Sequence, residues 1–329
     1  MSAHSLLSTH AGTNHPLRPA PLVSVVMPNL NKGRFIEEAV KSVRLQSYRN
    51  LELLIVDNGS EDQSVSIAEL LARDDKRIRL FDEPRRGVSF AINTGVKNAS
   101  GELVTIMGSD DIIGKDKISR QVDRLQQDGT SVCYTEGWYL DDLGRPLDWP
   151  RAMDRLNEPI KYEGLIFSEL IRRDFWNDFF GASVVYPKRC FSDRLFDTSL
   201  TYGEDWDFCV RLSRSYNFHY IPEPLYGYRV YSGNTWAKGN EQRNLRNKIR
   251  IFEGWLRDFD LNKEDKGTIL KQLLQSREEL EGRIGMVRLA ITHPQTTRAV
   301  LRRTRSSISH QVKRAAHKAA ALRPSTWTS

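Results

Sequence analysis

The chain of 329 residues has no apolar run of about 18 residues, so it carries no ordinary membrane-spanning helix. Residues 1–20 are rich in Ser, His, Thr and Pro and lack the basic stretch and apolar core of a secretion signal, so they read as a disordered leader. Cysteine is scarce. Cys133, Cys190 and Cys209 form no CxxC or Cys/His cluster, which argues against a zinc site or a disulfide framework and for a reducing, cytoplasmic setting. No GxxxxGK[ST] loop, no GxGxxG after a strand and no GxSxG elbow occurs, which argues against P-loop NTPases, dinucleotide dehydrogenases and α/β-hydrolases. Acidic residues are also missing from one region: none follows Glu281, yet ten Lys/Arg do.

That last absence explains the net charge of +7. Residues 236–329 hold 20 Lys/Arg against 9 Asp/Glu, whereas residues 1–235 hold 29 against 33. The basic, Ala-rich stretch 296–329 is either a solvated tail or a segment drawn to the anionic inner face of a membrane, where each basic residue contributes about 1 kcal/mol. Nucleic acid is not an expected partner, because charge alone supports it and no recognition motif does.

What is present is an alternation of strands and helices. "LVSVVM" (22–27) is a buried-strand pattern, and "GRFIEEAVKSVRLQ" (33–46) sets Phe35, Ile36, Ala39, Val40 and Val43 at helical spacing. Strand "ELLIV" (52–56), a helix over 62–73, strand "IRLF" (78–81), a helix over 88–99 and strand "LVTIM" (103–107) follow. Such alternation predicts an α/β fold with a mainly parallel sheet flanked by helices, and ligands bind such sheets beyond the carboxyl ends of the strands. Pro28–Asn31, Asp57–Ser60 and Gly108–Asp111 all fall there. Residues 131–235 are less regular and richer in aromatics, with a strand at 183–186 and a helix from 204; helices at 241–258 and 262–281 make a C-terminal extension. The expected organisation is a leader (1–20), one main domain (21–235), a helical extension (236–295) and the basic tail (296–329).

Each polar cluster has two readings. Asp57 and Asn58 suit a tight turn with Gly59, or hydrogen bonds to a base or sugar. Asp110 and Asp111 suit a helix cap for "KDKISRQVDRL", or a carboxylate pair whose repulsion is absorbed by hydroxyl donors or a hard divalent ion such as Mg²⁺ or Mn²⁺. Glu204, Asp205 and Asp207 suit the acid-favouring first turn of a helix, or supply a general base. Spacing does not choose between these.

Taken in order, "VSVVMPNLNKGRFIEEAVKSVRLQSYRNLELLIVDNGSEDQS", "GVSFAINTGVKNASGELVTIMGSDD" and "GEDWDFCVRL…EPLYGYRVYSGN" resemble the inverting family 2 glycosyltransferases of the GT-A (Rossmann-like) fold, over residues 21–235. The resemblance implies a nucleotide-binding first half and an acceptor-binding second half. It implies transfer of a sugar from a nucleotide diphosphate sugar to a hydroxyl of a glycan or lipid-linked oligosaccharide, with Mn²⁺ or Mg²⁺ as cofactor. It places Asp57 and Asn58 at the nucleobase with Pro28 and Leu30 beside it, Arg86 and Asn93 on the diphosphate side, and Asp110 at the ribose. Asp111 becomes the metal ligand and Asp205 the catalytic base. Four positions depart from the common pattern: Leu30 replaces a stacking Tyr, Asn58 an acid, Gly108 the first acid of DxDD, and Tyr231 a His. These departures keep a catalytically silent nucleotide-sugar-binding or scaffold protein as the alternative. A sugar nucleotidyltransferase is disfavoured by the lack of a Gly-rich basic loop after the first strand. Trp138, Trp149, Trp176, Phe179 and Phe180 shape the acceptor pocket or pack a core.

Overall fold

A computed structural model describes residues 19–127, 131–147, 162–172, 181–234 and 241–281. The leader up to residue 18, Trp149, Trp176, Phe179, Phe180 and everything past Glu281, including the basic tail, lie outside the described residues.

The apolar runs become strands β1 (Val23–Asn29), β2 (Leu51–Asp57), β3 (Ile78–Asp82) and β4 (Leu103–Ile106), and the amphipathic stretches between them become α1 (Ile36–Arg44), α2 (Ser64–Asp74) and α3 (Val88–Asn98). Helix α1 buries Ile36, Ala39, Val40 and Val43, a stripe at 3.6-residue spacing. Alternate side chains of the strands serve opposite faces. Val23, Val25, Met27, Leu53 and Ile55 meet α1, whereas Val26, Leu54 and Val104 meet Ile92 and Val96 of α3. A Cβ on Gly95 would stand 2.3 Å from Val26 Cγ1, so glycine lets α3 lie directly on β1.

After β4 come β5 (Ile112–Ile113), α4 (Lys117–Leu125), β6 (Val132–Leu140), β7 (Pro146–Leu147), α5 (Phe167–Ile171), β8 (Val185–Pro187), a 3-10 turn at Lys188–Phe191, α6 (Glu204–Leu212), β9 (Phe218–Arg229), α7 (Glu241–Asp258) and α8 (Lys263–Glu281). The sheet runs β3-β2-β1-β4-β8-β6-β9-β5, with β7 on β6. Pairing is parallel from β3 to β4, as the βα alternation predicts. Beyond β4 it is mixed: β8 is antiparallel to β4 and β6, while β6 and β9 run parallel.

Strands β6 and β9 are the main additions to the sequence reading. Pro222 and Pro224 demote "FHYIPEPLYGYR" as a strand, since proline cannot donate to the ladder. The structure accommodates them where the β6–β9 register shifts, around Thr135, Glu136 and Gly137. The expected Asp110 or Asp111 helix cap does not form, because β5 intervenes and α4 starts after Asp116. Helices α7 and α8 send Phe252, Trp255, Leu270 and Leu273 into the same core as β1 and α3. Trp255 Nε1 donates to Asp207 Oδ1 at 2.9 Å, which fastens α7 to α6. All three cysteines are buried free thiols. Among the described residues, no helix is long and apolar enough to cross a membrane.

Candidate active site

Beyond the carboxyl ends of β1 and β4 lies a cleft of about 430 Å³. It is lined by Pro28 near the end of β1, by Leu30 and Lys32 of the loop after it, and by Gly108, Ser109, Asp110 and Asp111 of the loop after β4. Gly181, Phe196, Gly203, Glu204 and Asp205 line the same cleft. Asn29 Oδ1 and Ser109 Oγ, both on buried side chains of the lining, have no hydrogen-bond partner among the described residues.

The first acid pair is surrounded by donors. Asp110 Oδ2 lies 2.8 Å from Lys32 Nζ and accepts the Tyr231 hydroxyl at 2.8 Å; Lys32 and Tyr231 also bond to each other. Asp111 Oδ2 accepts the Tyr226 hydroxyl at 2.7 Å, and Oδ1 accepts the Arg229 backbone N–H at 2.9 Å. Burial, and then the neighbouring Asp110 charge, push the Asp111 carboxyl up to about 8. Both means of absorbing like charge, a cation and hydroxyl donors, are therefore present.

Arg229 organises this wall and was missed by sequence reasoning. Its side chain is 1% exposed. Its Nε donates to Asp110 O at 2.7 Å, Nη1 to Asp141 O at 3.0 Å and Nη2 to Glu38 Oε2 at 2.6 Å, while the guanidinium lies over the Phe35 ring. The available signal was a charged residue inside the aromatic run "YGYRVY", since buried Arg is rare unless paired.

The second acid pair has far fewer donors. Helix α6 starts after Gly203, whose φ of 75° suits glycine. Asp205 Oδ1 accepts the Trp206 N–H at 2.7 Å. Burial raises the Asp205 carboxyl, and burial followed by the Asp205 charge raises Glu204 to about 8. Asp207 instead serves structure, accepting Arg211 Nε at 2.8 Å and the Trp255 indole. Asp205 Oδ2 lies only 2.4 Å from where a Cβ of Gly181 would stand, so the absent side chain at 181 makes room for this carboxylate.

The remaining expected residues divide. Pro28, Leu30 and Asn58 line the cleft, and Leu30 is 38% exposed. Asp57 spends both oxygens on its own loop, accepting Asn29 Nδ2, Ser60 Oγ and the N–H groups of Gly59 and Ser60. The Asn58 amide likewise donates to Glu83 O and Arg85 O and accepts Gly87 N–H. Asn93 clamps Phe196 by a reciprocal pair, donating to its carbonyl at 2.9 Å and accepting its N–H at 3.0 Å. Arg86 does not line the cleft; its side chain is 61% exposed and 3.5 Å from Glu61. Among the described residues that line the cleft, Lys32 is the cation.

Among the described residues, no group of three His, Cys, Asp or Glu is arranged for a metal. Two oxygens do converge: Asp110 Oδ1 and Asp111 Oδ2 lie 2.7 and 2.9 Å from where a Cβ of Gly108 would stand. A hard divalent ion takes oxygen ligands and accepts phosphate and water oxygens for much of its shell, so this cradle fits an ion that arrives with a diphosphate. The same crowding accounts for Gly108, because a third acid there would collide with the other two.

The glycosyl transferase family 2 model matches residues 24–184, from β1 past the first acid pair. The chain belongs to this family. An uncharacterised glycosyltransferase of Rickettsia conorii is 27% identical over 220 residues, 67% of this chain and 35% of that protein. The chain spans less than half the length of several curated relatives it matches. Among solved structures, S. aureus TarS 1–349 in complex with UDP-GlcNAc superposes with TM-score 0.60 at 19% identity, covering 85% of this family 2 chain and 79% of TarS. The mannosyltransferase PcManGT from Pyrobaculum calidifontis, in complex with GDP-Man and Mn²⁺, gives TM-score 0.59 at 18% identity, covering 92% and 81%. These likenesses show the GT-A-like fold.

Proposed function

We propose that this cleft transfers a sugar, with inversion, from a nucleoside diphosphate donor to a hydroxyl of a glycan or lipid-linked oligosaccharide in surface-polysaccharide assembly. The observation that carries the reading is two acid clusters lining one cleft in unlike surroundings: Asp110–Asp111 ringed by donors, and Asp205 with few. Pro28, Leu30 and Asn58 border the nucleobase. Asp110 takes the ribose hydroxyls. Asp57, Asn58 and Asn93 fix the loops and Phe196 by the hydrogen bonds above, so they position more than they contact.

Asp205 takes the proton of the acceptor hydroxyl as that oxygen attacks the anomeric carbon. The bond from that carbon to the diphosphate oxygen breaks on the opposite side, which inverts the centre. A carboxylate of raised proton affinity is a better base for this step than an ordinary aspartate. A divalent ion at Asp110 and Asp111 would neutralise charge on the departing diphosphate. Lys32, 2.8 Å from Asp110, adds a fixed cation at the same end. The solved neighbours, with UDP-GlcNAc in one and GDP-Man and Mn²⁺ in the other, support a nucleotide-sugar donor and a metal. The basic residues past Glu281 fit a peripheral station on the cytoplasmic face of a membrane.

The test is equilibrium binding of a panel of nucleoside diphosphate sugars with Mn²⁺, Mg²⁺ or EDTA, followed by donor hydrolysis. One nucleotide class should bind, more tightly with the metal, and hydrolyse slowly. Binding without any turnover would favour the silent binding protein, and no binding at all would overturn both readings.

A further inference from the structure

A second concavity, of about 750 Å³, shares elements with the cleft. Helix α3 gives Ala91 and Ile92 to the cleft, and Val96 and Lys97 to this groove. The segment after the 3-10 turn gives Phe196 to the cleft, and Ser192 to Leu195 to the groove. Four of the groove's lining residues are cationic, Lys97, Lys188, Arg189 and Arg194, against one carboxylate, Asp193. This runs against the surrounding sequence, since residues 1–235 carry more acid than base.

The cations stand on a firm base. Lys188 Nζ donates to the Ala99 carbonyl and Arg194 Nη1 to the Arg211 carbonyl at 3.4 Å, which draws α3, the turn and α6 together. The floor includes Phe191, which stacks on Phe208 at 5.1 Å; Phe208 in turn stacks on Phe196 at 4.4 Å. Phe208 lies on α6, three residues past Asp205, so a packed aromatic column joins the groove floor to the cleft wall.

We propose that this groove is an anion site for a phosphate or phosphodiester group, carried by a lipid headgroup or by a soluble phosphorylated molecule. Guanidinium and ammonium groups set around a concavity match the charge and acceptor oxygens of phosphate. The apolar floor accepts the carbon portion of such a ligand. This site does not depend on what the cleft transfers.

Two measurements on the full chain test it. Calorimetric titration with inorganic pyrophosphate in EDTA keeps any divalent ion from carrying the anion to Asp110 and Asp111. Co-sedimentation with vesicles of phosphatidylglycerol in phosphatidylcholine, against phosphatidylcholine alone, probes the headgroup. In Lys97→Ala/Arg189→Ala, affinity should fall about thirtyfold in whichever arm binds, with circular dichroism and nucleotide-sugar binding unchanged. Loss of pyrophosphate binding assigns a soluble phosphate, and loss of vesicle binding alone assigns the headgroup. Lys97→Glu should weaken binding in the same arm and serves if the double variant does not fold. Wild-type binding in neither arm overturns the site, and vesicle binding that both variants retain overturns it in favour of the basic stretch past Glu281, as does retained pyrophosphate binding in favour of another anion site.

Discussion

The cleft holds two pairs of adjacent carboxylates, and their surroundings differ. Asp110 and Asp111 meet an ammonium, two phenol hydroxyls and a backbone N–H. Asp205 receives the Trp206 N–H, with Glu204 beside it adding repulsion. Donors that stabilise a carboxylate also fix its oxygens in space, which suits a group that must hold a cation or a sugar. Burial raises the proton affinity of Asp111 as well as that of Asp205, so the pairs differ in their donors, and the carboxylate with fewer donors suits a base that must turn to an acceptor hydroxyl. Identical side chains thus acquire separate tasks from the donors around them.

The sharpest way to break this comparison is Asp205→Asn. Transfer should drop about a hundred- to ten-thousandfold while donor binding stays near wild type; turnover that survives in single-turnover assays would remove Asp205 from the base role. Asp111→Ala should act on the other pair, weakening Mn²⁺-assisted nucleotide binding about a hundredfold. An unchanged metal dependence in calorimetry would detach Asp111 from the ion. Gly181→Ala sharpens the contrast further, because its methyl would stand 2.4 Å from Asp205 Oδ2 and must displace that carboxylate. The expected result is about tenfold lower kcat with an unaltered donor KM, and a fall in KM affinity instead would place the clash elsewhere.

The smallest effect belongs to an acid of the opposite kind. Glu83 is buried and bonded to the Arg85 guanidinium, the Arg85 N–H and Thr94, which hold its carboxyl down at about 2 rather than 4.5. Its stabilising contribution is complete above about pH 4.5 and is lost as pH falls toward 2. Glu83→Gln should flatten the acid side of a Tm-against-pH curve and leave transfer rates unaltered near neutrality. An identical acid limb in both proteins would show that Glu83 is not a stability group.

The first half of the chain was legible because its pattern is local. A buried parallel strand reads as a continuous apolar run, "LVSVVM" or "ELLIV", and each covering helix follows within a short turn. The acids were visible for the same reason, since polar residues stand out at the ends of such runs. The partners of those acids were not. Tyr226, Arg229 and Tyr231 lie on or just past a strand that two prolines disguise, and nothing local says that its far end folds over Asp110 and Asp111. Nor does local sequence distinguish Asn58 reading a base from Asn58 holding residues 83–87, because one amide suits either. Nothing local marks Lys32 either, because its role comes from Asp110 at 2.8 Å.

The separation between Asp111 and its partners also bears on how the protein is made. The bonds from Tyr226 and Arg229 span 115 and 118 residues. Closing loops of that length costs entropy before any contact repays it, whereas each early strand–helix unit closes over a few tens of residues. A chain emerging from the ribosome can therefore complete β1 to β4 well before the Asp111 carboxyl meets a single donor from β9. Until that strand docks, Lys32 is the partner that the β1-to-β4 half supplies to this acid pair, and Asp111 waits at the mouth of an otherwise formed sheet.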